Sequence, residues 1–365
     1  MKKNPFKFGS VVEGHYFTNR LTEIQKVKSI LKSKNHLIII SPRRFGKTSL
    51  ISKVINETSR PYVLLDLQLV TNVEDFAAQL LKRIYRVYPF EKLKQLVKKF
   101  RIVPNISLNP VNNEVEILFQ PMSPGSVLIE DVLNLMERVS DKKKELIVVF
   151  DEFQEIKNIG KELDRQFRST IQHHQNINYV FLGSQESLMR EIFEKKKSPF
   201  YHFGYLLPLD KIPSQEFLEF LSTGFKPVTD KHVETAKGIL AITKSHPYYT
   251  QQLAFNVWEL LNNKNKLENP VEDAAGEVIR HHDMDYERLW NTLNRTDMKN
   301  LIGMSLSEIT PLSLEFSKKY FTGASSTAFS SLKRLMQNGF VIKTESGYEI
   351  DDPFFKSWIK ERRER

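Results

Sequence analysis

The stretch LIIISPRRFGKTSL, from Leu37 to Leu50, constrains the possible folds of this chain more than any other segment. Its leading apolar residues predict a strand that is buried on both faces. A turn follows, and the apolar spacing after it predicts an amphipathic helix that begins near Lys47. Strand, loop and helix in this order are the context of a phosphate-binding loop. The alternative is a chance Gly-Lys-Thr ahead of a helix, and the flanking elements favour phosphate binding.

Each residue type in this loop suits one part of a bound nucleotide. Gly46 lets the backbone approach the phosphates, and the N–H groups from Phe45 to Thr48 would point at them from the helix N-terminus. The Lys47 ammonium would contact the β- and γ-phosphates, and the Thr48 hydroxyl would bind Mg²⁺. The predicted nucleotide-binding residues of the loop are Pro42, Arg43, Arg44, Phe45, Gly46, Lys47, Thr48 and Ser49.

Ser41 stands where the usual pattern of this loop has its first glycine. That glycine serves a turn that precedes the phosphate contacts. Pro42 fixes one backbone angle at this turn, and serine is a common turn residue. We therefore expect the loop to bind ATP despite the substitution.

An acidic pair, Asp151 and Glu152, follows the apolar run LIVVF. Ligands of α/β sheets bind at the carboxyl ends of the parallel strands, so the pair is expected beside the loop. Asp151 would hold Mg²⁺, and Glu152 would orient and deprotonate a water molecule. An acidic helix cap is the alternative interpretation. We predict Glu152 and Lys47 as catalytic residues, and Thr48 and Asp151 as the metal ligands.

Polar residues also follow the apolar run YVFLG, at Ser184 and Gln185. Such a residue can contact the γ-phosphate or align water, and a plain polar strand end fits equally well. We include Ser184 among the predicted nucleotide-binding residues. Arg165 and Arg168 follow the acidic pair on a predicted helix. They could act on a neighbouring subunit, but solvent-exposed arginines are the simpler interpretation.

Alternating apolar runs and amphipathic stretches over the first 210 residues predict an α/β domain with a parallel sheet of five strands. Several runs are apolar throughout, as in strands that are covered by helices on both faces. Turn signals within Ile102–Phe119 predict a β-hairpin insertion. The predicted strands are His36–Ile40, Tyr62–Gln68, Leu146–Phe150, Tyr179–Gly183 and Tyr205–Leu209.

The pattern changes after Leu209. Helical spacing continues to about residue 295 and predicts a helical domain over 211–295. Over 296–365, three helical stretches and two short strands follow, which is the order of a winged helix. The predicted domains are therefore 1–210, 211–295 and 296–365. Within the last, the helix Ser325–Asn338 is the candidate DNA-recognition helix, with Lys333, Arg334 and the wing residue Lys343 as its basic side chains.

Composition constrains the cellular location of the protein and the kinds of site and partner that it can have. The chain of 365 residues has no cysteine, so disulfides and cysteine-ligated metals are excluded. The sequence shows no apolar run of the length that a membrane span or a signal peptide needs, and we expect a cytoplasmic protein without membrane contact. The net charge is +10, which attracts nucleic acid, although diffuse charge of this size is common in basic proteins.

Five segments in the same order resemble one known family, the signal-transduction ATPases with numerous domains (STAND), which are AAA+-related P-loop proteins that include the archaeal ATPase domain. SPRRFGKTSL is similar to the family's phosphate loop, and FDEFQEI to its Asp-Glu strand end. HYFTNRLTEIQKVKSIL resembles the opening segment, in which Phe17 and Arg20 match residues near the nucleotide. SHPYYTQQLA resembles a lid segment, in which Pro247 would pack on adenine. IDDPFFKSWI resembles the end of the family's winged helix.

The resemblance implies an ATPase that binds ATP or ADP with Mg²⁺ and acts as a switch. In such a switch, ADP holds the helical and winged-helix domains on the core. It implies a protein partner but does not identify one, and it leaves the oligomeric state open. Where many relatives have Gly-Arg, this chain has His202-Phe203. The alternatives are a DNA-binding protein that ATP modulates, using the winged helix, and an inert nucleotide-bound scaffold, against which the intact loop and acidic pair argue.

Overall fold

The computed structural model describes residues 3–18, 20–108, 115–119, 125–142, 144–263, 268–344 and 347–363. The chain divides into two compact units. The sheet unit comprises Arg20–Ser41 and Lys47–Asp210. The helical unit comprises Met1–Asn19, Pro42–Gly46 and Lys211–Arg365. The predicted three-domain division stays a prediction.

The sheet unit contains a five-stranded parallel sheet in the order β2-β5-β6-β1-β7, and an antiparallel pair β3-β4. Its strands are β1 (Leu37–Ile40), β2 (Tyr62–Asp66), β3 (Asn105–Leu108), β4 (Val115–Leu118), β5 (Leu146–Asp151), β6 (Ile177–Gly183) and β7 (Tyr205–Pro208). Its helices are α1 (Leu21–Lys32), α2 (Lys47–Asn56), α3 (Val73–Val87), α4 (Phe90–Val97), α5 (Gly125–Val139), α6 (Ile156–Ile159), α7 (Leu163–Ile171) and α8 (Glu186–Glu194).

The parallel sheet confirms the predicted fold class. Strands β1 and β6 are buried at every position, as their continuous apolar runs predict. Strand β2 ends at Asp66, two residues before the predicted end, because a short 3₁₀ helix begins at Leu67. The Asp66 carboxylate accepts a hydrogen bond from the Gln68 N–H at 2.9 Å, which caps this turn. The predicted hairpin is present as β3 and β4, and its turn signals lie outside the described residues.

Phenylalanine rings form much of the core of the sheet unit. Phe153, immediately after the acidic pair, packs on Phe181 of β6 with 4.5 Å between ring centroids. Phe150 of β5 and Phe167 of α7 make an edge contact at 5.1 Å. These rings are fully buried, so the end of β5 is held by packing on β6 and α7. A rigid strand end is what a precise arrangement of polar side chains requires.

The helical unit has the order of elements that the sequence predicts. Its elements are α9 (Ser214–Phe225), α10 (His232–Thr243), α11 (Pro247–Asn263), α12 (Pro270–His281), α13 (Asp283–Asn291), α14 (Arg295–Leu306), α15 (Leu314–Tyr320), α16 (Ser325–Gln337), β8 (Val341–Thr344), β9 (Gly347–Ile350) and α17 (Pro353–Arg363). Strands β8 and β9 pair antiparallel and form the predicted wing. The sequence predicts a turn at Ser346-Gly347 between these strands, and Ser346 lies outside the described residues.

The N-terminal segment is packed into this helical unit. Phe6 is 2% exposed and contacts Phe225 of α9 at 4.8 Å between ring centroids. The Asn4 amide donates hydrogen bonds to the Phe255 carbonyl at 3.1 Å and to Glu259 at 2.8 Å, both on α11. A side chain at Gly224 would collide with the Phe6 ring, so the close approach requires glycine there. None of the described helices has the length and apolar character to cross a membrane.

Gly303 of α14 provides a test of packing in the helical unit. An alanine methyl at Gly303 would lie against the buried Phe316 ring and 2.7 Å from Tyr320. We expect Gly303→Ala to lower the free energy of unfolding by about 1–3 kcal/mol, because overpacking forces side chains from their rotamers. All three tryptophans (Trp258, Trp290 and Trp358) lie in this unit, so tryptophan fluorescence during urea denaturation reports on it.

The matched control is Gly238→Ala on α10, where the new methyl would meet Val271 at an ordinary 3.5 Å. Alanine favours helix by about 0.5–1 kcal/mol over glycine, so this variant is expected to be equally stable or more stable. A Gly303→Ala protein as stable as the Gly238→Ala protein would contradict the packing described here.

Candidate functional site

The loop between β1 and α2 has a backbone that explains which of its residues are glycine. Gly46 has φ 88°, in the left-handed region that favours glycine. Arg44 has φ 65°, a conformation that costs a residue with a side chain roughly 1–2 kcal/mol. Ser41 does not have a positive φ, so its position does not require glycine. The substitution at the start of the loop therefore leaves the backbone unstrained there.

Lys47 begins α2, and its ammonium is held by the loop itself. The side chain is 6% exposed, and Nζ donates to the Ser41 carbonyl at 3.1 Å and lies 3.4 Å from the Ser41 hydroxyl. The Ser41 N–H donates to the Gly183 carbonyl at the end of β6, at 3.3 Å. Ser41 thus joins the loop lysine to the neighbouring strand.

Thr48 and Asp151 meet as the sequence predicts. The Thr48 hydroxyl donates to Asp151 Oδ2 at 2.7 Å, and the Glu152 N–H donates to Asp151 Oδ1 at 2.9 Å. Burial raises the pKa of Asp151, the Thr48 hydrogen bond lowers it, and the neighbouring Glu152 charge raises it, with a net rise. A nearby cation would lower this pKa again, because it favours the charged carboxylate.

The donor chemistry at this point fits Mg²⁺. A hydroxyl and a carboxylate are hard oxygen ligands, and Mg²⁺ is usually held by one or two carboxylates while phosphates and waters supply the remaining ligands. Among the described residues, no group of three or more His, Cys, Asp or Glu side chains could hold a metal. Thr48 and Asp151 would accordingly supply a partial ligand set that depends on a nucleotide for completion.

Glu152 has a backbone conformation and a set of hydrogen bonds that sequence reasoning did not predict. Its φ is 49° and ψ is 46°, a left-handed conformation. Its Oε2 accepts hydrogen bonds from the Ser184 hydroxyl at 2.5 Å, the Ser184 N–H at 3.3 Å and the Gln154 amide at 2.5 Å. Strained backbone of this kind clusters at functional sites.

Ser184 is therefore brought to the acidic pair, whereas Gln185 lies at the start of α8, where its carbonyl accepts from the Met189 N–H. Gln154 was missed, although it lies two residues after Glu152 and is 2% exposed. A glutamine in a segment of Phe and Ile side chains is a polar residue at a position that packing would bury. A polar residue at such a position indicates a buried hydrogen bond, and this was the signal in the sequence that could have identified Gln154.

The two candidate arginines of α7 have other partners. Arg168 lies 4.2 Å above the Phe203 ring, and its Nη1 donates to Gln172 at 3.0 Å. Burial lowers the pKa of Arg168. Arg165 is 68% exposed and pairs with Glu162 at 3.2 Å. Phe203 thus packs against the guanidinium of Arg168.

In the helical unit, the loop residues Arg44 and Phe45 contact the first turn of α11. Arg44 Nη1 donates to the Tyr249 hydroxyl at 3.0 Å, and its guanidinium lies 4.7 Å above the Tyr248 ring. The buried Phe45 ring makes an edge contact with His246, at 4.8 Å between centroids. Of the remaining predicted loop residues, Arg43 is exposed, Pro42 is half-buried and Ser49 is buried.

Phe17 and Pro247, two of the predicted nucleotide-binding residues, belong to segments that meet in the helical unit. Phe17 is half-buried and follows a short 3₁₀ helix. Gln251 lies one turn after Pro247 on α11, and its amide donates to the Tyr16 carbonyl at 3.1 Å and to Thr18 at 3.4 Å. Gln251, which the sequence analysis did not identify, therefore fixes the segment that contains Phe17.

Arg20 belongs to the sheet unit and is 3% exposed. Its guanidinium donates to Glu23 and to the Asp210 carbonyl, both at 2.8 Å. These bonds give Arg20 a structural role at the start of α1, and its contact with a nucleotide stays a prediction.

Two family models match the sequence. The model of an ATPase domain predominantly from Archaea matches residues 17–253, and the model of a probable winged helix domain matches residues 284–361. Among curated proteins, none matches the chain at the sequence level. The first model covers more than half of the chain and contains the loop, the acidic pair and Ser184.

Solved structures show the same fold at low identity. The Walker-type ATPase PABY2304 of Pyrococcus abyssi is 19% identical with a TM-score of 0.68, over 94% of this chain and 96% of that chain. The ORC1 protein of Aeropyrum pernix, solved in complex with DNA, is 11% identical with a TM-score of 0.53, over 100% and 98%. The ADP form of the ORC2 protein of Aeropyrum pernix is 14% identical with a TM-score of 0.52, over 98% and 99%.

The predicted fold class, an AAA+-like P-loop fold followed by a winged helix, is confirmed by these matches and by the parallel sheet. The chain belongs to the family of ATPase domains found predominantly in Archaea.

Proposed function

We propose that this protein is a Mg²⁺-dependent ATP-hydrolysing switch of the STAND type, in which nucleotide state controls the arrangement of the helical and winged-helix parts. One observation carries the proposal. The Thr48 hydroxyl of the loop and the Asp151 carboxylate at the end of β5 lie 2.7 Å apart. A Mg²⁺ site of a P-loop ATPase needs these two oxygens to be adjacent.

The residues of the sheet unit divide the work of phosphoryl transfer. Lys47, which the Ser41 carbonyl now holds, would exchange this partner for the β- and γ-phosphates of ATP. Thr48 and Asp151 would hold Mg²⁺, which neutralises charge on the phosphate oxygens when it is bound. The N–H groups at the start of α2 would bind phosphate oxygens, since the first turn of a helix leaves them without helical partners.

Glu152 would orient and deprotonate the attacking water. In this structure one of its oxygens already accepts three hydrogen bonds, from Ser184 and Gln154. These donors fix the direction of the carboxylate, since a side chain held by several hydrogen bonds keeps one orientation. Ser184 and Gln154 would act as positioning residues for Glu152, and the other carboxylate oxygen would accept the proton of water.

Replacement of Glu152 tests the assigned base. We expect Glu152→Gln to retain ATP binding and to lower the rate of hydrolysis about 10²–10⁴-fold, since general-base catalysis contributes that much. The measurement is phosphate release at saturating ATP, together with the affinity for a fluorescent ATP analogue. Glu155→Gln, which neutralises a carboxylate three residues further on, is the matched control. Unchanged hydrolysis in Glu152→Gln would contradict the role of this residue.

The metal site has its own test. We expect Asp151→Asn and Thr48→Val to remove most of the gain in ATP affinity that Mg²⁺ gives the wild type, because each removes a ligand oxygen or its charge. Binding is measured in EDTA and in millimolar Mg²⁺. Thr170→Val, on α7, removes a threonine hydroxyl that bonds only within its helix to Gln166, and serves as the control. If Mg²⁺ raises ATP affinity equally in Asp151→Asn, Thr48→Val and Thr170→Val, Thr48 and Asp151 do not bind the metal.

The second candidate function is DNA binding by the winged helix. The first half of α16 presents exposed Ser325, Ser326, Thr327 and Ser330, with Lys333 one turn further, and α16 contains no acidic residue. Hydroxyls, lysines and helix N-termini are common phosphate ligands in protein–DNA complexes. The ORC1 structure of similar fold contains DNA. These observations support a DNA-facing role for this side of α16.

Arg334 differs from Lys333 because it is already engaged in an ion pair. Its guanidinium donates to both oxygens of Asp297, at 2.6 and 2.8 Å, and the Ser331 hydroxyl donates to the same carboxylate. Asp297 is 3% exposed, so the pair joins α16 to α14. Removing the arginine would leave a buried carboxylate without its cation, which is strongly destabilising. Arg334 thus has a structural partner, and its contact with DNA stays a prediction.

Lys333 is exposed, whereas Arg334 pairs with Asp297, and this difference allows a test of DNA binding. We expect Lys333→Ala to weaken binding to duplex DNA and to lower the salt slope of binding by about one, as the loss of one phosphate contact does. Arg334→Ala is expected to lower thermal stability instead. Lys237→Ala, on α10, removes one positive charge outside the winged helix and is the control. If Lys333→Ala and Lys237→Ala bind DNA with equal salt slopes, α16 does not face DNA.

A further inference from the structure

Arg44 of the phosphate-binding loop is held by a buried tyrosine. Tyr249 is 3% exposed, and its hydroxyl accepts the Arg44 hydrogen bond at 3.0 Å. Burial raises the pKa of Tyr249 far above its usual value, and the nearby Asp352 and Asp351 charges raise it further. The phenol is therefore neutral at every physiological pH, and its oxygen remains an acceptor for the guanidinium.

The other side of Tyr249 faces the start of α17 in the winged helix. Its ring makes an edge contact with Phe354, at 5.9 Å between centroids. Asp352 immediately precedes α17 and accepts hydrogen bonds from the N–H groups of Phe354 and Phe355, at 2.8 and 3.1 Å. The Tyr286 hydroxyl donates to the same carboxylate at 3.1 Å. Asp352 thus caps α17 and fixes the ring that Tyr249 contacts.

A second contact runs parallel to the first. Phe45, the next loop residue, packs against His246, and His246 Nε2 lies 3.2 Å from Asp351 Oδ1. His246 is 1% exposed, and its Nδ1 faces the backbone N–H groups of Tyr248 and Tyr249. Arg44 is therefore joined through Tyr249 to Phe354 of α17, and Phe45 is joined through His246 to Asp351, which lies just ahead of α17.

We propose that Tyr249 is a positioning residue for Arg44, and that the docking of α17 on Tyr249 sets how firmly the loop retains a bound nucleotide. The proposal rests on the proposed function, since it requires the loop to bind ADP and ATP. It adds the physical route by which the winged helix regulates that site.

The conformation of Arg44 explains why this residue needs a partner that positions it. The residue is left-handed at φ 65°, and its long side chain is exposed in part, so a partner must restrain it. Its bond to Tyr249 holds the loop in one conformation, and a preorganised loop loses less entropy when it binds a phosphate. If α17 moves, Phe354 no longer supports the Tyr249 ring, and the loop is released. By thermodynamic linkage, a nucleotide on the loop must then favour the docked α17.

The test is the dissociation rate of a fluorescent ADP, measured by displacement with excess ADP. Tyr249→Phe keeps the ring and removes the hydroxyl, and we expect the dissociation rate to rise about two- to tenfold, the range that one net hydrogen bond gives. Arg44→Ala is expected to give a similar or larger rise. In the Arg44→Ala background, Tyr249→Phe should have no further effect. Tyr85→Phe is the matched control, because Tyr85 is a buried tyrosine of the sheet unit whose hydroxyl has no hydrogen-bond partner among the described residues.

A second readout reports on the winged helix. ADP should slow hydrogen exchange of the Phe354 and Phe355 amides in the wild type, and this protection should be lost in both Tyr249→Phe and Arg44→Ala. A purely structural role of Tyr249 would not make ADP-induced protection depend on Arg44. If Tyr249→Phe does not fold, the exchange readout in Arg44→Ala decides, because Phe354 and Phe355 lie on α17 and the loss of their ADP-induced protection does not follow from a lost phosphate contact alone.

Two results would overturn the proposal. One is an unchanged ADP dissociation rate in Tyr249→Phe, and the other is an equal effect of this substitution with and without Arg44. The proposed function fails separately. If ADP binding survives Lys47→Ala unchanged, the loop is not the nucleotide site and both proposals are wrong. If Lys47→Ala abolishes binding while Tyr249→Phe behaves as wild type, only the role of Tyr249 is wrong.

Discussion

The parallel pairing of β6 with β1 on one side and β5 on the other is the constraint on which the site depends. Its register places Gly183 beside Ile40, so the loop after β1 begins next to the end of β6. Strand β5 pairs with the other edge of β6 and ends at Asp151. Three consecutive strand ends therefore deliver Lys47, Ser184 and the acidic pair to one place. A shift of one residue in either register would turn every side chain of the shifted strand to the opposite face of the sheet.

This arrangement also sets the electrostatics of the site. Asp151 and Glu152 are adjacent carboxylates in a partly buried position, and burial raises the pKa of Asp151. Glu152 takes a left-handed backbone conformation, and its side chain bonds to β6 while that of Asp151 bonds to α2. The two carboxylates thus occupy different hydrogen-bond environments, which is how neighbouring acidic groups take different roles.

The sequence was sufficient for the parts that follow from periodicity and from the order of strands. Fully apolar runs indicated buried parallel strands, and the rule that strand ends meet predicted the contact of Thr48 with Asp151 and the approach of Ser184. The sequence was insufficient where the partner of a side chain lies far away along the chain. Arg44 and Tyr249 are 205 positions apart, and no local pattern marks them as partners. The sequence places Arg334 on the candidate recognition helix, but no local pattern indicates that it pairs with the buried Asp297 of α14. Gln154 and Gln251 were missed because buried glutamines are recognised only once their neighbours are known.

The packing of Phe6 beneath α9 has a consequence for the order in which the chain is made. Strands β1, β2, β5, β6 and β7 are all contained between residues 37 and 208, so the parallel sheet can form once that stretch has left the ribosome. The helical unit needs the segment around Phe6 together with α9 and α11. The Asn4 amide, for example, can form its hydrogen bond only after Glu259, 255 positions later, has been synthesised. Domains of large proteins generally fold as units during synthesis. The segment around Phe6, although it is synthesised before the strands of the sheet, therefore belongs to the unit that is completed later.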